Sequence, residues 1–302
     1  MTYDLNRKVV LITGAAGGIG SATARQLYAR GASLVLTDMQ QSAVDCLAQE
    51  FDGARVLPLA LDVTDAGATK AVVRKTIEKF GRLDVALANA GISWRGTPGT
   101  IMGCDEQEFE HIVEVDLFGV WRTIRAALPE VVRNEGQILV TSSVYAFLNG
   151  VANAPYAASK AAVEMLTRSL RVELGGTTAT ASVVYPGWTA TAIAKPAFGG
   201  NALATRMSEV VLPSPLRRPI QPEQMARAIV KGIESRSPRI IAPGRWAPIN
   251  LLRGVFNAVM DWHLRRHARF QGLLRELEAQ QPARSRVPAL QEPRPTDEWI
   301  SA

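Results

Sequence analysis

Short apolar runs alternate with longer amphipathic runs through about the first 190 residues of the chain. The apolar runs predict six strands: Lys8–Thr13, Ser33–Asp38, Arg55–Asp62, Leu83–Asn89, Gly136–Ser142 and Thr180–Tyr185. The runs that follow predict helices at Gly18–Arg30, up to about Phe51, at Ala66–Phe80, at Glu106–Arg133 with a break near Pro129, and at Pro155–Leu174. This alternation predicts an α/β fold in which helices cover both faces of a parallel sheet.

The pattern changes after Pro186. A stretch with glycines and prolines predicts a mobile lid, and it precedes a helix, a last strand and a long amphipathic helical run: residues 189–215, Gln221–Ser235, Arg239–Ala242 and Trp246–Leu277. Prolines and charges dominate the end of the chain. We therefore expect a main domain over residues 1–245, an amphipathic helical extension over 246–280 and a disordered tail over 281–302.

The composition is typical of a globular protein, with 302 residues of which 47% are hydrophobic and 21% charged. No stretch approaches the ~18 consecutive apolar residues that a bilayer-spanning helix needs. The N-terminal residues lack the pattern of a secretory signal. Only two cysteines are present, Cys46 and Cys104, which suits a reducing compartment. We therefore expect a cytoplasmic protein.

The net charge of +6 is concentrated towards the C-terminus. Residues 1–214 carry 19 Lys and Arg against 20 Asp and Glu, whereas residues 215–302 carry 15 against 8. This basic excess could meet an anionic membrane, or it could be a solvated helix face and a loose tail. No nucleic-acid-binding motif accompanies it, so we expect no nucleic-acid partner.

Residues 13–20 read Thr-Gly-Ala-Ala-Gly-Gly-Ile-Gly and lie between the first predicted strand and the first predicted helix. Glycines let the backbone approach a pyrophosphate, and the helix N-terminus supplies N–H groups. The segment therefore predicts a dinucleotide-binding loop rather than a plain turn. Asp38 ends the second strand, where a carboxylate can bind ribose hydroxyls and repel a 2′-phosphate. It favours NAD over NADP, although it could also cap the next helix.

Tyr156 and Lys160 lie four residues apart at the start of a predicted helix, so they share one helical face. A free tyrosine has a pKa of about 10, which is too high for a base near neutrality. A nearby ammonium group favours the phenolate, so the pair could exchange a proton with a substrate. Ser143 follows the fifth predicted strand and could hold the substrate oxygen, or it could serve only as a cap or turn residue.

These residues, in this order, resemble the short-chain dehydrogenase/reductase family over roughly residues 5–245. The resemblance is carried by the glycine loop and by Asp38, Asn89-Ala90-Gly91, Ser143, Tyr156, Lys160 and Pro186-Gly187. It implies a Rossmann-type, doubly wound parallel sheet of about seven strands. It also implies an NAD-dependent oxidoreductase that moves a hydride between nicotinamide and a secondary alcohol or ketone, without a metal, as a homodimer or homotetramer.

The resemblance further implies which residues contact the cofactor. The pyrophosphate would bind at Gly14, Gly18, Ile19 and Gly20, and the adenine at Asp62 and Val63. Asn89, Ala90 and Gly91 would line the adenosine and ribose, although Asn89 alone could equally stabilise the sheet. Tyr156 and Lys160 would also bind the nicotinamide ribose, and the nicotinamide would lie along Pro186, Gly187, Thr189 and Thr191.

One position departs from the family pattern. Where the family carries an Asn that completes a proton relay through a water, this chain carries Asp116. The relay would survive if it uses the backbone carbonyl, and it would be altered if it needs the neutral amide. A carboxylate near Lys160 would also oppose the lowering of the Tyr156 pKa. We include Asp116 among the catalytic candidates.

Substrate selection should depend on loops beyond the strand ends. The candidates there are mostly bulky and apolar: Trp94, Tyr145, Phe147, Trp188, Phe198, Leu203 and Met207. They predict an apolar alcohol or ketone, such as a steroid, lipid or terpenoid. The C-terminal amphipathic helix could pack on its own domain or a partner subunit, close the substrate pocket, or lie peripherally in a membrane interface.

Two other functions fit parts of the pattern. A dehydratase or epimerase on the same fold usually carries a longer, substrate-specific C-terminal domain than this chain offers. An NAD-binding regulator without turnover would be expected to have lost Ser143, Tyr156 or Lys160, and all three are present.

Overall fold

The computed structural model describes residues 2–95, 98–194 and 201–280. Within these ranges seven strands form one parallel sheet: β1 Val9–Thr13, β2 Ser33–Asp38, β3 Val56–Ala60, β4 Val85–Ala88, β5 Gln137–Thr141, β6 Thr180–Pro186 and β7 Arg239–Ala242. Their order across the sheet is β3-β2-β1-β4-β5-β6-β7. The strand order reverses between β1 and β4, because β2 and β3 lie on one side of β1 and the later strands lie on the other. In sheets of this kind, ligands bind outside the carboxyl ends of the strands at the point of reversal.

Helices flank the sheet and continue beyond it: α1 Gly18–Tyr28, α2 Gln41–Ala48, α3 Ala66–Phe80, α4 Glu106–Val113, α5 Val120–Arg133, α6 Ala154–Glu173, α7 Ala202–Val211, α8 Ser214–Arg217, α9 Pro222–Glu234, α10 Ala247–Leu251, α11 Arg253–Arg266 and α12 Ala268–Ala279. A π-helical segment, Glu114–Gly119, joins α4 to α5. None of the helices in the described ranges is both long and apolar enough to cross a lipid bilayer.

Alternate residues of each central strand pack into two hydrophobic cores, one on each face of the sheet. Val10 and Ile12 of β1 join the core made with α1, α2 and α9, whereas Val9 and Leu11 join the core made with α3, α5 and α6. Both faces are therefore buried, which is why these strands are apolar at successive positions. The prediction of a doubly wound parallel sheet with helices on both faces is confirmed.

The predicted helix Glu106–Arg133 is interrupted, but not near Pro129. Pro129 lies inside α5, which continues to Arg133, and the irregular turn is instead the π segment. At Gly119 an added Cβ would lie 2.6 Å from Cγ2 of Val63, so a larger residue would push this segment away from the strand ends. A π turn places one extra residue in a helix and is frequent at functional sites.

The amphipathic run predicted as one helix over Trp246–Leu277 forms α10, α11 and α12 instead. The break before α12 occurs at His267, which has an extended backbone (φ −76°, ψ 103°) and whose side chain accepts the N–H of Phe270 at 3.2 Å. The turn lays α12 on α7 in one buried apolar cluster, which includes Leu203, Met207, Leu264, Phe270, Leu273 and Leu277. Spacing alone could not reveal this turn, because His267 is compatible with a helix.

Other predictions about the second half of the chain stay predictions. The stretch 189–215, expected to be a mobile lid, contains α7 and the start of α8 among its described residues, and its mobility stays a prediction. The tail over residues 281–302 lies outside the described residues. The division into a main domain, an extension and a tail is likewise untested.

Candidate active site

The glycine loop lies between β1 and α1 and has a backbone that few other residues could adopt. Gly14 has φ +64°, and a Cβ there would lie 2.8 Å from the Cα of Ala90. A Cβ on Gly20 would lie 2.3 Å from the carbonyl oxygen of Gly14. Gly18 opens α1, so the first N–H groups of the helix, including that of Ile19, point towards the loop without intrahelical partners. The loop is thus a backbone cradle for an anion at a helix N-terminus.

Asp38, at the end of β2, is held by main-chain donors on both sides. Its Oδ2 accepts the N–H of Ala16 at 3.1 Å and its Oδ1 accepts the N–H of Met39 at 2.8 Å. The helix that follows begins at Gln41 with Gln40 as its N-cap, so Asp38 does not cap it. The carboxylate lines the cavity beside the glycine loop.

Asp62 and Val63 follow β3 at the same edge of the sheet. The Oδ1 of Asp62 accepts the N–H of Thr64 at 2.9 Å and its hydroxyl at 2.7 Å, which fixes the turn. Val63 is buried, and both residues line the cavity next to Asp38.

Asn89 connects the ends of three central strands. Its Nδ2 donates to the carbonyls of Thr13 at 3.1 Å and Gly14 at 3.2 Å, and its Oδ1 accepts the hydroxyl of Thr141 at 3.2 Å. The sheet-stabilising role left open from the sequence is therefore present in the structure, and the same bonds hold the glycine loop. Ala90 and Gly91 continue from Asn89 along the cavity wall.

Ser143, Tyr156 and Lys160 meet at the cavity. Pro155 lies in the first turn of α6, a position that suits proline, and it sets Tyr156 at the start of the helix. Lys160 Nζ lies 5.3 Å from the centroid of the Tyr156 ring. The Ser143 hydroxyl accepts the N–H of Tyr145 at 3.2 Å, so Ser143 caps a short 3₁₀ turn, and Ser143 lines the cavity together with Tyr156.

Lys160 is almost fully buried, and its ammonium has two partners inside the protein. Nζ lies 3.0 Å from Oδ2 of Asp116 and donates to the carbonyl of Thr141 at 3.3 Å. Burial alone would lower the pKa of Lys160, but the carboxylate of Asp116 and the Tyr156 phenol outweigh it and raise the pKa. The lysine is therefore held in its charged form.

Asp116, on the π segment, is completely buried beside Lys160. Its Oδ1 accepts the N–H of Ile92 at 2.7 Å. Burial raises the pKa of Asp116, and the ammonium of Lys160 opposes that change. A Cβ on Gly91 would lie 3.0 Å from Lys160 Nζ, so this glycine leaves room for the ion pair.

Four influences act on the pKa of Tyr156, and together they raise it. Burial is the largest and raises the pKa, Lys160 lowers it, Asp116 raises it and the Ser143 hydroxyl lowers it. The concern raised from the sequence, that Asp116 opposes the effect of Lys160, matches the direction found here. The phenol is therefore a weaker acid than it would be beside Lys160 alone.

The segment after β6 forms the wall opposite α6. A Cβ on Gly187 would lie 2.4 Å from Nε1 of Trp246, and the hydroxyl of Thr189 donates to the Gly187 carbonyl at 3.0 Å. Thr191 approaches the start of α1, with its Cγ2 3.0 Å from where a Cβ of Gly18 would be. These residues and Pro186 line the cavity together with the glycine loop.

One continuous cavity of about 480 Å³ runs from the glycine loop past Tyr156 to the C-terminal helices. Of the apolar residues proposed from the sequence, Trp94, Tyr145, Trp188 and Met207 line it. Phe147 and Leu203 are buried in the cores behind it, and Phe198 lies outside the described residues.

Sequence reasoning named none of the residues that α12 contributes to this wall. Phe270 and Leu277 line the cavity, and each is only 1% exposed. The apolar spacing of α12 predicted a buried face but not what it would pack against. Of the three roles left open for the C-terminal run, packing on its own domain is seen for α12, which also contributes to the cavity wall, and closure of the pocket stays a prediction.

Tyr145 extends the aromatic lining of the cavity beyond Tyr156. Its ring meets the ring of Tyr156 edge-on at 5.8 Å between centroids and that of Trp188 at 5.7 Å. Burial raises the pKa of Tyr145, which therefore stays protonated near neutrality.

Comparison with known proteins agrees with this geometry. The family model described as short chain dehydrogenase matches residues 8–201. The 3-oxoacyl-[acyl-carrier-protein] reductase of Thermotoga maritima is 33% identical over 75% of this chain and 90% of its own length. The meso-2,3-butanediol dehydrogenase of Serratia marcescens is 36% identical over 58% of this chain and 68% of its own.

A solved structure is similar over most of its length. The short-chain dehydrogenase/reductase of Burkholderia phymatum, in complex with NAD, superposes with a TM-score of 0.69 at 25% identity, covering 82% of this chain and 94% of that one. The chain belongs to the short-chain dehydrogenase/reductase family. It is an oxidoreductase that acts on CH–OH groups.

Proposed function

We propose that this protein is an NAD-dependent dehydrogenase or reductase of apolar secondary alcohols and their ketones. The observation that carries the proposal is the meeting of Ser143, Tyr156 and Lys160 at one cavity that begins at the glycine loop. The family relationship supports the reaction type, and the lining of the cavity supports the substrate class.

The cleft fits a dinucleotide. The backbone is packed so closely around Gly14 and Gly20 that neither residue has room for a side chain. A pyrophosphate cradle requires such a bare backbone, so that the phosphates can approach the main chain. Beside it we propose that Asp62 and Val63 hold the adenine, and that the main chain from Asn89 to Gly91 lines the ribose. Towards the reaction centre we propose contacts from Tyr156, Lys160, Pro186, Gly187, Thr189 and Thr191. When bound, the nicotinamide would accept or donate the hydride.

The position of Asp38 supports NAD rather than NADP. Its carboxylate is fixed at the cavity by two main-chain N–H groups, and each of its oxygens keeps a further lone pair for a ribose hydroxyl. A 2′-phosphate would meet this negative charge instead. The Burkholderia phymatum structure was solved with NAD, which agrees with the proposal.

The side chains of this protein would handle the proton and the substrate oxygen. In alcohol oxidation, the Tyr156 phenolate takes the hydroxyl proton, while Ser143 donates a hydrogen bond to the same substrate oxygen. In ketone reduction, Tyr156 returns its proton to the carbonyl oxygen as that oxygen becomes negative. Lys160 stabilises the phenolate form, because its charged ammonium lies beside the ring.

The far end of the cavity supports an apolar substrate. Most of the side chains there are aromatic or aliphatic, with polar ones such as Asn149, Asn153 and Ser208 among them. The aromatic and aliphatic ones are Trp94, Val144, Tyr145, Val151, Trp188, Met207, Val211, Leu212, Phe270 and Leu277. Removing such a surface from water stabilises binding in proportion to apolar area, so a steroid, lipid or terpenoid alcohol would gain most.

The two alternatives are less well supported. A regulator without turnover has no use for a buried lysine beside a tyrosine at the cavity. A dehydratase or epimerase is not favoured, because the two relatives described above bear the names of a reductase and a dehydrogenase.

We further propose a cytoplasmic homodimer or homotetramer. Phe118, Trp121 and Met165 are 45%, 45% and 56% exposed on neighbouring helical segments and would be covered by a second copy. Cys46 and Cys104 are free thiols, which suits a reducing compartment. Light scattering after size-exclusion chromatography would detect a monomer and so contradict the oligomer.

The first experiment follows NADH formation with NAD and NADP on apolar and polar secondary alcohols, with Tyr156→Phe as the control. Tyr156→Phe removes only the hydroxyl, so it should abolish most turnover while NADH still binds. Tyr145→Phe removes a neighbouring hydroxyl in the same wall and should retain turnover. Turnover that survives in Tyr156→Phe would contradict the acid/base role. A clear preference for polar alcohols would contradict the substrate class.

A further inference from the structure

The C-terminal helices leave an apolar face uncovered within the described residues. We define the outer face of α11 as Leu251, Leu252, Val255, Val259, Trp262 and Arg266, the first two of which precede the helix. The five apolar side chains are 76%, 62%, 71%, 60% and 57% exposed in that order. From Val255 onwards they are spaced by three or four residues, so they form one continuous stripe. An apolar stripe of this kind is unusual on a surface that faces only water.

The opposite side of α11 is the one that fixes the helix to the domain. Leu264 is 4% exposed and Met260 packs between two buried clusters. Arg253 Nη1 lies 2.6 Å from Oε1 of Glu164, a buried carboxylate of α6. One side of α11 is therefore already packed against the domain. The outer face is a second apolar surface, and it takes no part in that packing.

Basic groups surround the C-terminal end of the outer face. The guanidinium of Arg266 lies 4.8 Å from the ring centroid of Trp262, and Arg265 and Arg269 are exposed beside it. None of the six outer-face side chains is acidic. The nearby carboxylate of Asp261 accepts the side-chain N–H of Asn149 at 2.8 Å. The stripe thus combines a tryptophan and aliphatic side chains with a local excess of positive charge, since three arginines lie near one carboxylate.

We propose that the outer face of α11 docks on an anionic lipid surface. The aliphatic and tryptophan side chains enter the boundary between headgroups and acyl chains, and the arginines bind the phosphate groups. A second copy of the chain is a poorer occupant of this face, because two outer faces would bring together arginines without any carboxylate to neutralise them.

Docking in this way places the lipid next to the substrate cavity. The inner side of α11 packs on the cluster that contains α7, and α11 leads directly into α12, whose Phe270 lines the cavity. A membrane-bound protein would therefore present this wall of the cavity towards the bilayer. The docking surface itself does not rest on the proposed reaction, so each can fail without the other.

The test is flotation of the full chain with two kinds of vesicle, phosphatidylcholine alone and phosphatidylcholine mixed with phosphatidylglycerol. We expect the protein to float with the mixed vesicles, to stay in the soluble fraction with phosphatidylcholine alone, and to be released by added salt. Val259→Glu should reduce the partition coefficient at least about tenfold, because it places a carboxylate in the stripe. Val172→Glu, on an 80% exposed valine of α6, should leave binding unchanged.

A second variant guards against a folding defect. Arg266→Gln removes one charge and no apolar contact with the core, so it should keep the circular dichroism spectrum and weaken binding to mixed vesicles. The proposal is overturned if the full chain ignores both kinds of vesicle, or if Val259→Glu floats as the unaltered protein does. It is also overturned if Val259→Glu changes the oligomeric mass, since the face would then be an interface between copies.

Discussion

Replacing Asp38 by serine removes the one carboxylate that faces the adenosine end of the proposed cofactor cleft from β2. In the structure its two oxygens accept the N–H groups of Ala16 and Met39 at 3.1 and 2.8 Å. A carboxylate offers about four lone-pair sites, so about two remain for the ribose hydroxyls. Because both main-chain donors come from fixed turns, the carboxylate is already positioned before the cofactor binds.

The size of the effect follows from these bonds. A hydrogen bond to a charged group contributes about 1.5–3 kcal/mol. Loss of one such bond to the ribose should lower kcat/KM for NAD about 10- to 150-fold, since each 1.36 kcal/mol is tenfold in rate. For NADP the same change removes a like charge from beside the 2′-phosphate, so kcat/KM for NADP should rise. The ratio of kcat/KM for NAD to kcat/KM for NADP should therefore change by a larger factor than either constant changes alone.

Initial rates of NADH and NADPH formation on one alcohol give both constants. Asp45→Ser is the matched control, because Asp45 is an exposed carboxylate on α2 that does not line the cavity. It should change neither value. If Asp38→Ser leaves the ratio of the two kcat/KM values unaltered, the carboxylate does not bind the ribose hydroxyls, and the argument for NAD is wrong.

Three further changes test other parts of the site. Asp116→Asn removes a charge that raises the Tyr156 pKa, so the rise of alcohol oxidation with pH should move to lower pH in a rate profile; an unmoved or alkaline-shifted profile would contradict this. Phe270→Ala empties a fully buried position and should lower the free energy of unfolding, measured in urea, by about 3–5 kcal/mol. Leu252→Ala, at a side chain that is 62% exposed, should change that free energy by less than about 0.5 kcal/mol. Equal effects of the two variants would refute the packing of α12. Gly20→Ala forces a Cβ to within 2.3 Å of a loop carbonyl oxygen and should weaken NADH binding, measured by fluorescence, at least about tenfold; unchanged affinity would exclude the loop as the cradle.

The parts of this site that sequence could predict are those fixed by local geometry. Tyr156 and Lys160 share a face because a helix repeats every 3.6 residues, and no tertiary contact is needed to know it. The glycine loop is likewise constrained by its own turn and by the strand and helix that flank it. The strands of the sheet were recognisable because burial on both faces demands apolar residues at every position, as in Val9–Ile12.

The parts that sequence missed depend on contacts between distant segments. Phe270 reaches the cavity only because the chain turns at His267 and lays α12 on α7. The π turn at Glu114–Gly119 relies on the space that Gly119 leaves for the Val63 side chain. These two residues are separated in the sequence by α3, β4 and α4. Helical periodicity records which face of a segment is apolar and contains no information about the partner of that face.

Asp116 was recognisable in the sequence as a departure from the family pattern, but its effect on the site depends on contacts with distant residues. It alters the chemistry of the site. In this chain the ammonium of Lys160 donates to the Thr141 carbonyl and forms an ion pair with Asp116 at 3.0 Å. The carboxylate of Asp116 offsets part of the positive charge that would stabilise a phenolate at Tyr156. With burial added, the pKa of Tyr156 is raised rather than lowered. Before a cofactor binds, the tyrosine therefore stays in its protonated form near neutral pH. Alcohol oxidation would need the positive charge of an oxidised nicotinamide to bring the phenolate within reach of neutral pH.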